Sequence, residues 1–326
     1  MIDLIIKDGL GNQMFQYAFA RCLQYCYMEE GIDEEIVVNP YYITRNGIVE
    51  QSDERFMSLQ HLFLNNKVRI ACLEEQKKLF KDFKFKCAIG TGVLDLFKWR
   101  LRNIKDDSEK LYVKRAKKGV YYTYKAYSQY PLVLSPSRIK HIFGYFQSEY
   151  NFKQVRNHVK SELMVKTIPS EQNVQIINEI RSCNSICLHI RRGDYLNARW
   201  KNLQVCDYEY YNKAVNLILK TVESPIFYVF SNTHDDIEWI KHNYVFENHQ
   251  IGKNIELRYV DMSNPDYEEL RLMYNCKHLI ISNSTFSWWA AYLCQNPNKQ
   301  VIAPGRWNLS TDNDWMIYQD SWIKIF

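Results

Sequence analysis

The stretch Ser185-Ile186-Cys187-Leu188-His189-Ile190-Arg191-Arg192-Gly193-Asp194-Tyr195 limits what this chain can fold into more than any other. Its first half is a short apolar run, the pattern of a strand buried on both faces, and such strands belong to parallel sheets covered by helices on both sides. The surrounding sequence repeats that logic. Helical periodicity over about 172–180 precedes this strand. A helix over 208–221, a strand over 226–230, a helix over 235–244 and a strand over 255–260 follow it. A helix over 266–275, a strand over 278–281, a helix from Ser284 and a last strand over 300–303 complete the series. Strands alternating with helices at this spacing predict an α/β fold with a doubly wound parallel sheet.

The front half reads the same way with less regularity. A strand at Leu4–Ile6 runs into Gly9-Leu10-Gly11-Asn12-Gln13, and a helix follows from about Met14 to Tyr27. A second strand spans Glu35–Val38. A helix is expected over 53–65, with Phe56, Leu59, Leu62 and Phe63 on one face. Gly144-Tyr145-Phe146-Gln147-Ser148-Glu149-Tyr150 reads as a strand followed by a polar turn. The boundary between two domains falls near Asn151, which gives 1–150 and 151–326. Within the first domain, 67–118 mixes Lys and Arg with Phe, Leu and Trp99. It is either a solvated helical face or, over 77–118, a basic amphipathic surface resting on anionic lipid or an anionic acceptor.

The chemistry gathers at predicted strand ends. Ligands of open α/β sheets sit outside the carboxyl ends of the strands, and Arg191 and Arg192 arrive there with a glycine and an aspartate behind them. Guanidinium groups bind phosphate bidentately and stay charged when desolvated. A surface turn with solvated arginines is the alternative. Ser282-Asn283-Ser284-Thr285-Phe286-Ser287 lies where a strand becomes a helix, which suits a phosphate as well as an ordinary helix cap. Gly9 and Gly11 let backbone approach a ligand at another helix start, or Asn12 simply caps that helix. Together with the arginines, the Ser282 run favours a nucleotide-diphosphate site. No phosphate-loop lysine motif is present, and the histidines lack ligand spacing. Asp312-Asn313-Asp314 reads as polar surface, so the expectation is chemistry without a metal.

A net charge of +5 fits an anionic substrate better than wholesale nucleic-acid binding. The nine cysteines form no CxxC pair and several lie in apolar runs, as reduced buried thiols do. The first residues read as a strand and not as a signal peptide, and no apolar run is long enough to span a bilayer, so a cytoplasmic protein is expected.

Three motifs carry a family resemblance. Gly9-Leu10-Gly11-Asn12-Gln13-Met14-Phe15-Gln16-Tyr17-Ala18, His189-Ile190-Arg191-Arg192-Gly193-Asp194-Tyr195 and Ser282 to Ala290 resemble the signatures of family 11 glycosyltransferases, the α-1,2-fucosyltransferases. Gly144 to Glu149 matches as well. The basic stretch matches least, and Asp8 replaces a glycine common in the first motif.

The resemblance implies a two-domain GT-B-type fold with Rossmann-like sheets. It also implies inverting transfer of L-fucose from GDP-fucose to the 2-OH of a terminal galactose in a glycan, without metal or other cofactor. By the same resemblance Arg191 holds the β-phosphate, Arg192 lies nearby and His189 touches guanine. Glu269 is the candidate to accept from the base N1–H and N2–H₂. Ser284, Thr285 and Phe286 cradle the phosphates, and Gly11 and Asn12 reach in from the first domain. Asp194 is the candidate base, with Glu149 or the leaving phosphate as alternatives. A nucleotide-sugar hydrolase, a transferase with another donor and a sugar-binding module are the rival readings.

Overall fold

The computed structural model describes residues 1–45, 57–91, 108–123, 125–248, 253–260 and 264–326. The chain divides into two compact units, Met1–Leu163 and Met164–Phe326.

Unit one contains β1 (Ile2–Ile5), α1 (Leu10–Glu29), β2 (Ile36–Asn39), β3 (Val68–Ile70) and α2 (Leu73–Thr91). It continues with α3 (Glu109–Ala116), β4 (Val120–Tyr122), β5 (Lys140–Phe143) and α4 (Arg156–Glu162). Its sheet runs β3-β2-β1-β5-β4 with every neighbouring pair parallel. The twenty residues of α1 include no β-branched side chain, which favours a long helix. Most of its surface is buried, so it is a central helix and not an amphipathic one.

The division between units falls at Leu163 instead of near Asn151, because the segment after Asn151 packs on α1. Phe152, Val155, Val159 and Leu163 are fully buried, and the Phe152 and Phe15 rings lie 6.3 Å apart. Glu162 accepts hydrogen bonds from Tyr17 Oη at 2.6 Å and from Arg21 Nε and Nη2 at 2.8 and 2.7 Å. Burial pulls the Glu162 carboxyl up, but the bonds from Arg21 and Tyr17 outweigh it and hold the group below the usual glutamate range.

Unit two contains α5 (Glu171–Ser182), β6 (Asn184–His189), α6 (Tyr208–Thr221), β7 (Pro225–Phe230), α7 (His234–Asn243) and β8 (Glu256–Tyr259). After these come α8 (Asp266–Asn275), β9 (His278–Ile280), α9 (Thr285–Leu293), β10 (Val301–Pro304) and β11 (Ile323–Ile325). The sheet order is β8-β7-β6-β9-β10-β11, again all parallel. Helix starts follow from local chemistry. Ser170, Asp207, Thr233 and Ser284 each accept a backbone N–H from the first turn of α5, α6, α7 and α9. On one face of the sheet Ile186, Leu188 and Ile190 pack with Tyr211, Val215 and Ile218 of α6. Each such buried aliphatic side chain contributes about 2 kcal/mol.

Four local expectations change. The helix expected over 53–65 is, in its described part, a 3₁₀ turn at Ser58–His61; Leu59 and Leu62 are buried while Phe63 is exposed, and residues 53–56 lie outside the described residues. The strand ending at Pro304 is not the last, since Ile323–Ile325 adds an edge strand too short to show a pattern. Asn12 does not cap α1, whose N-cap is Gly9. Asp314 is not surface: it is buried, and its Oδ2 accepts from Trp307 N at 2.7 Å, Asn308 N at 3.1 Å and Arg306 Nε at 3.1 Å. The Leu94–Lys105 part of the basic stretch lies outside the described residues.

Glu162→Gln leaves the Arg21 guanidinium buried without its counter-ion, and should cost about 3 kcal/mol at neutral pH by urea unfolding. A depressed carboxyl stabilises the fold above its unfolded pKa and loses that effect as pH falls through the folded value. The gap between variant and wild type should therefore narrow below about pH 4. A gap constant from neutrality into acid contradicts the ion-pair account.

Candidate active site

In unit two the connections run outward from β6 through β7 to β8, then return to β9 on the other side of β6. The reversal falls between β6 and β9, and the carboxyl ends of the strands at such a reversal are where doubly wound sheets hold ligands. His189 ends β6, Arg191 and Arg192 follow it, and Ser282 to Thr285 lead from β9 into α9.

The two strand ends are tied together by His189 Nδ1 and Ser282 Oγ, 2.9 Å apart and buried. Burial, reinforced by the Arg191 charge, pushes the imidazole down to about 3, so the ring is neutral and presents one donor and one acceptor nitrogen. Ser231 Oγ donates to Ile190 O at 2.7 Å and holds the end of β6 against β7. Gly193 has φ +46°, which glycine adopts without strain, and a Cβ there would come within 3.1 Å of Asn232 Cγ. The Asn232 Oδ1 accepts from Arg192 N at 3.2 Å.

The two arginines have different surroundings. Arg192 stacks with its Cζ 3.2 Å from the Trp239 ring centre, and its Nε lies 3.4 Å from Asp236 Oδ1. Its charge is thus matched by α7. Arg191 is half-buried, with its Cζ 5.1 Å from the Tyr195 ring centre. Asp194 lies in the short turn Gly193–Leu196, and its side chain is outside the described residues.

At the other lip, Ser284 caps α9 by accepting from Phe286 N at 3.3 Å, and Ser287 Oγ donates to Ser282 O and Ser284 O at 3.3 and 3.2 Å. Thr285 and Phe286 are half-buried at the first turn. Trp288 and Trp289 are fully buried core, with Trp288 Nε1 donating to Ile317 O at 2.6 Å. Glu269 is buried near the N-terminus of α8, which begins at the same sheet edge because it follows β8. Its neighbour Glu268 accepts from Thr167 Oγ1 at 3.0 Å and pairs with Arg271 at 3.4 Å.

Asn283 had no assigned role in the sequence, yet it organises this edge. Its Nδ2 donates to Leu203 O and Trp307 O at 2.8 and 3.0 Å, and its carbonyl accepts from Tyr195 Oη at 3.1 Å. Its position inside the Ser282–Ser287 run was the available signal.

Gly11 and Asn12 belong to the corresponding edge of unit one, where β1 and β5 flank that sheet's own reversal. Asn12 Oδ1 accepts from Gln147 Nε2 at 2.7 Å, and Gln13 Nε2 donates to Asp8 O at 2.8 Å. The Lys7 ammonium stands 3.6 Å from the Tyr145 ring centre; burial lowers its pKa, with Asp8 opposing. Asp8 and Phe146 both have positive φ, 62° and 53°, and flank this edge. A glycine common in the first motif at position 8 is thereby explained: the turn is left-handed. Lys7, Tyr145 and Gln147 carry no signal outside their motif neighbourhood. Among the described residues no group of three or more His, Cys, Asp or Glu side chains converges as metal ligands.

A guanidinium, a neutral imidazole and a hydroxyl-capped helix start thus lie together at the reversal of a doubly wound sheet. The chain belongs to glycosyltransferase family 11, whose sequence model matches residues 1–326. It is 29% identical over 185 residues to an α-1,2-colitosyltransferase of Escherichia coli, a match spanning 56% of this chain and 61% of that one. The O-antigen biosynthesis glycosyltransferase WbnK of Escherichia coli is 25% identical over 98% of this chain and 99% of its own. The human galactoside α-(1,2)-fucosyltransferase 1 is 28% identical over 44% of this chain and 40% of its own length. The chain thus spans less than two thirds of the colitosyltransferase and of the human enzyme, and nearly all of WbnK.

His189 should show no titration between about pH 5 and 8, the range in which exposed histidines titrate. Imidazole chemical shifts assigned with His189→Gln as the reference test this, and a midpoint near the ordinary value removes the buried, neutral imidazole from the site.

Proposed function

We propose that the protein transfers L-fucose, with inversion and without a metal, from GDP-fucose to the 2-OH of a terminal galactose in an oligosaccharide or surface glycan. The observation that carries the reading is the shared edge of β6 and β9, where Arg191, His189 and the start of α9 surround one reversal point. The family membership and the α-1,2-transferase names of two relatives support the same chemistry.

In this reading unit two is the donor unit of a GT-B-type pair and unit one supplies acceptor contacts. Arg191 takes the β-phosphate. The Ser284, Thr285 and Phe286 turn meets the diphosphate with hydroxyl and backbone N–H groups, and His189 and Glu269 meet the base. Arg192, held by Trp239 and Asp236, positions the loop and adds charge behind Arg191. Gly11 and Asn12 are the unit-one residues assigned to the sugar or phosphate.

The acceptor oxygen bonds to the anomeric carbon as the bond from that carbon to the phosphate oxygen breaks. The electron pair leaves with GDP, and the acceptor's proton passes to Asp194 or to the departing phosphate. Negative charge grows on the diphosphate in the transition state, so a preorganised guanidinium stabilises that state more than the ground state.

Arg191→Ala should lower kcat by about 10²–10³. Near-wild-type turnover removes Arg191 from the reaction. Glu269→Gln should raise the GDP Kd by about tenfold or more in calorimetry, as loss of a charged acceptor facing the base requires. An unchanged GDP affinity contradicts that role. A panel of β-galactosides with GDP-fucose, followed by linkage analysis of the product, tests the whole reading. Equal consumption of GDP-fucose without any acceptor makes the protein a hydrolase, and no consumption points to another donor.

A further inference from the structure

The chain's positive excess is confined to one unit. Residues 1–163 hold 26 Lys and Arg against 19 Asp and Glu, a net of +7, while residues 164–326 hold 16 against 18, a net of −2. The unit proposed to bind an anionic nucleotide is therefore the acidic one, and the basic excess of unit one serves something else.

Its clearest described concentration is α2. The inward positions Gln76, Leu79, Phe80 and Phe83 are buried, and Phe80 and Phe83 pack with Ile5, Val120 and Tyr122. The outward positions Lys77, Lys78, Lys81, Lys84 and Phe85 are all exposed. At 3.6 residues per turn they fall, together with Leu73 and Glu74, within an arc of about 140°. Phe85 is 63% exposed and Leu73 65%. None of Lys77, Lys78, Lys81 and Lys84 forms an ion pair among the described residues. Of the helix's acidic residues only Glu74 shares this arc, in its first turn. Glu74 and Glu75 stand in the first turn, with Glu75 bound to Arg69 at 2.6 Å. Asp82 turns to His141 Nε2 at 2.8 Å and to Lys86 at 3.2 Å. Beyond its first turn, the outward arc thus carries lysines and one bare aromatic ring.

We infer that this face of α2 docks on an anionic phospholipid surface. Lysines on flexible stems reach phosphate headgroups while their methylenes lie along the interface. An exposed phenylalanine and leucine at the rim of the basic arc give the apolar insertion that an interfacial helix needs. A nucleic-acid groove takes the cations but gains nothing from these two side chains. Among the described residues no helix is long and apolar enough to cross a membrane, so contact through this helix is peripheral.

The test uses the full chain with vesicles of phosphatidylcholine alone and of phosphatidylcholine mixed with phosphatidylglycerol, read by co-sedimentation. The wild type should bind the anionic vesicles, release in high salt and ignore the neutral ones. Each lysine near the surface is worth about a fivefold change in partition, so Lys77→Glu with Lys81→Glu should weaken binding by more than about twentyfold. Phe85→Ser should weaken it several-fold while leaving its salt dependence in place. All three positions are exposed, and unchanged circular dichroism and thermal midpoint confirm folding. Turnover of a soluble acceptor should not change, which separates this inference from the proposed reaction. Equal binding to both vesicle types, or full binding by the double variant, overturns it. Salt-sensitive binding to duplex DNA with no vesicle binding overturns it in favour of nucleic acid.

Discussion

The reversal of strand order beside β6 is the constraint on which the arrangement of unit two depends. Two connections that leave a central strand on opposite sides cannot cover the sheet's edge between them, so the gap is a consequence of topology and not of any one side chain. What the sequence adds is the lining. One strand ends in His189 and Arg191, and the other ends in a serine-rich turn that starts a helix. The His189–Ser282 contact joins them where the backbones diverge. The helix start brings unpaired N–H groups and the positive end of a dipole to that place, and the arginine brings a full charge.

Unit one repeats the topology with other means. Its reversal lies between β1 and β5, and the loops there hold amides, a lysine stacked on an aromatic ring, and two residues in the left-handed region. Asp8 and Phe146 hold a conformation that glycine adopts without strain, and each costs of order 1 kcal/mol or more. Phe146 recovers part of that by stacking on Phe19 at 4.0 Å. Asp8 and Phe146 both lie in loops at this sheet edge, whereas the third non-glycine residue at positive φ among the described residues, Ser224, lies just before β7.

This contrast explains how much was legible in advance. In unit two nearly every strand and helix was readable, because strands buried on both faces are pure apolar runs and the helices between them begin at side-chain caps such as Asp207 and Thr233. That Arg191, Arg192 and Ser282 to Ser287 stand at strand ends was readable from the apolar runs before them. What stayed hidden was whatever depends on tertiary pairing. Arg192 looked equivalent to Arg191 until Trp239 and Asp236 matched its charge, and Asp314 looked like surface until three donors converged on it. Similarly, the segment after Asn151 looked like the start of the second domain until Glu162 met Tyr17 and Arg21. In each case the deciding partner is distant in sequence or has no periodic signature.

The separation of charge between units follows the same physics at longer range. Surface charges lose influence beyond a screening length of about 8 Å in physiological salt, so the net charge of a unit says little about the charge felt at one particular place on it. An anion site needs only local charge held by local geometry. In the proposed site unit two offers that with the half-buried Arg191, a neutral imidazole and a helix start, while its net charge is −2. A neutral His189 matters in this setting. Arg192 has Asp236 beside it, but a charged imidazole next to Arg191 would add repulsion, whereas a neutral ring keeps hydrogen-bonding capacity without it. The affinity of such a site is therefore decided by a few desolvated groups in fixed positions, and the composition of the chain as a whole says little about it.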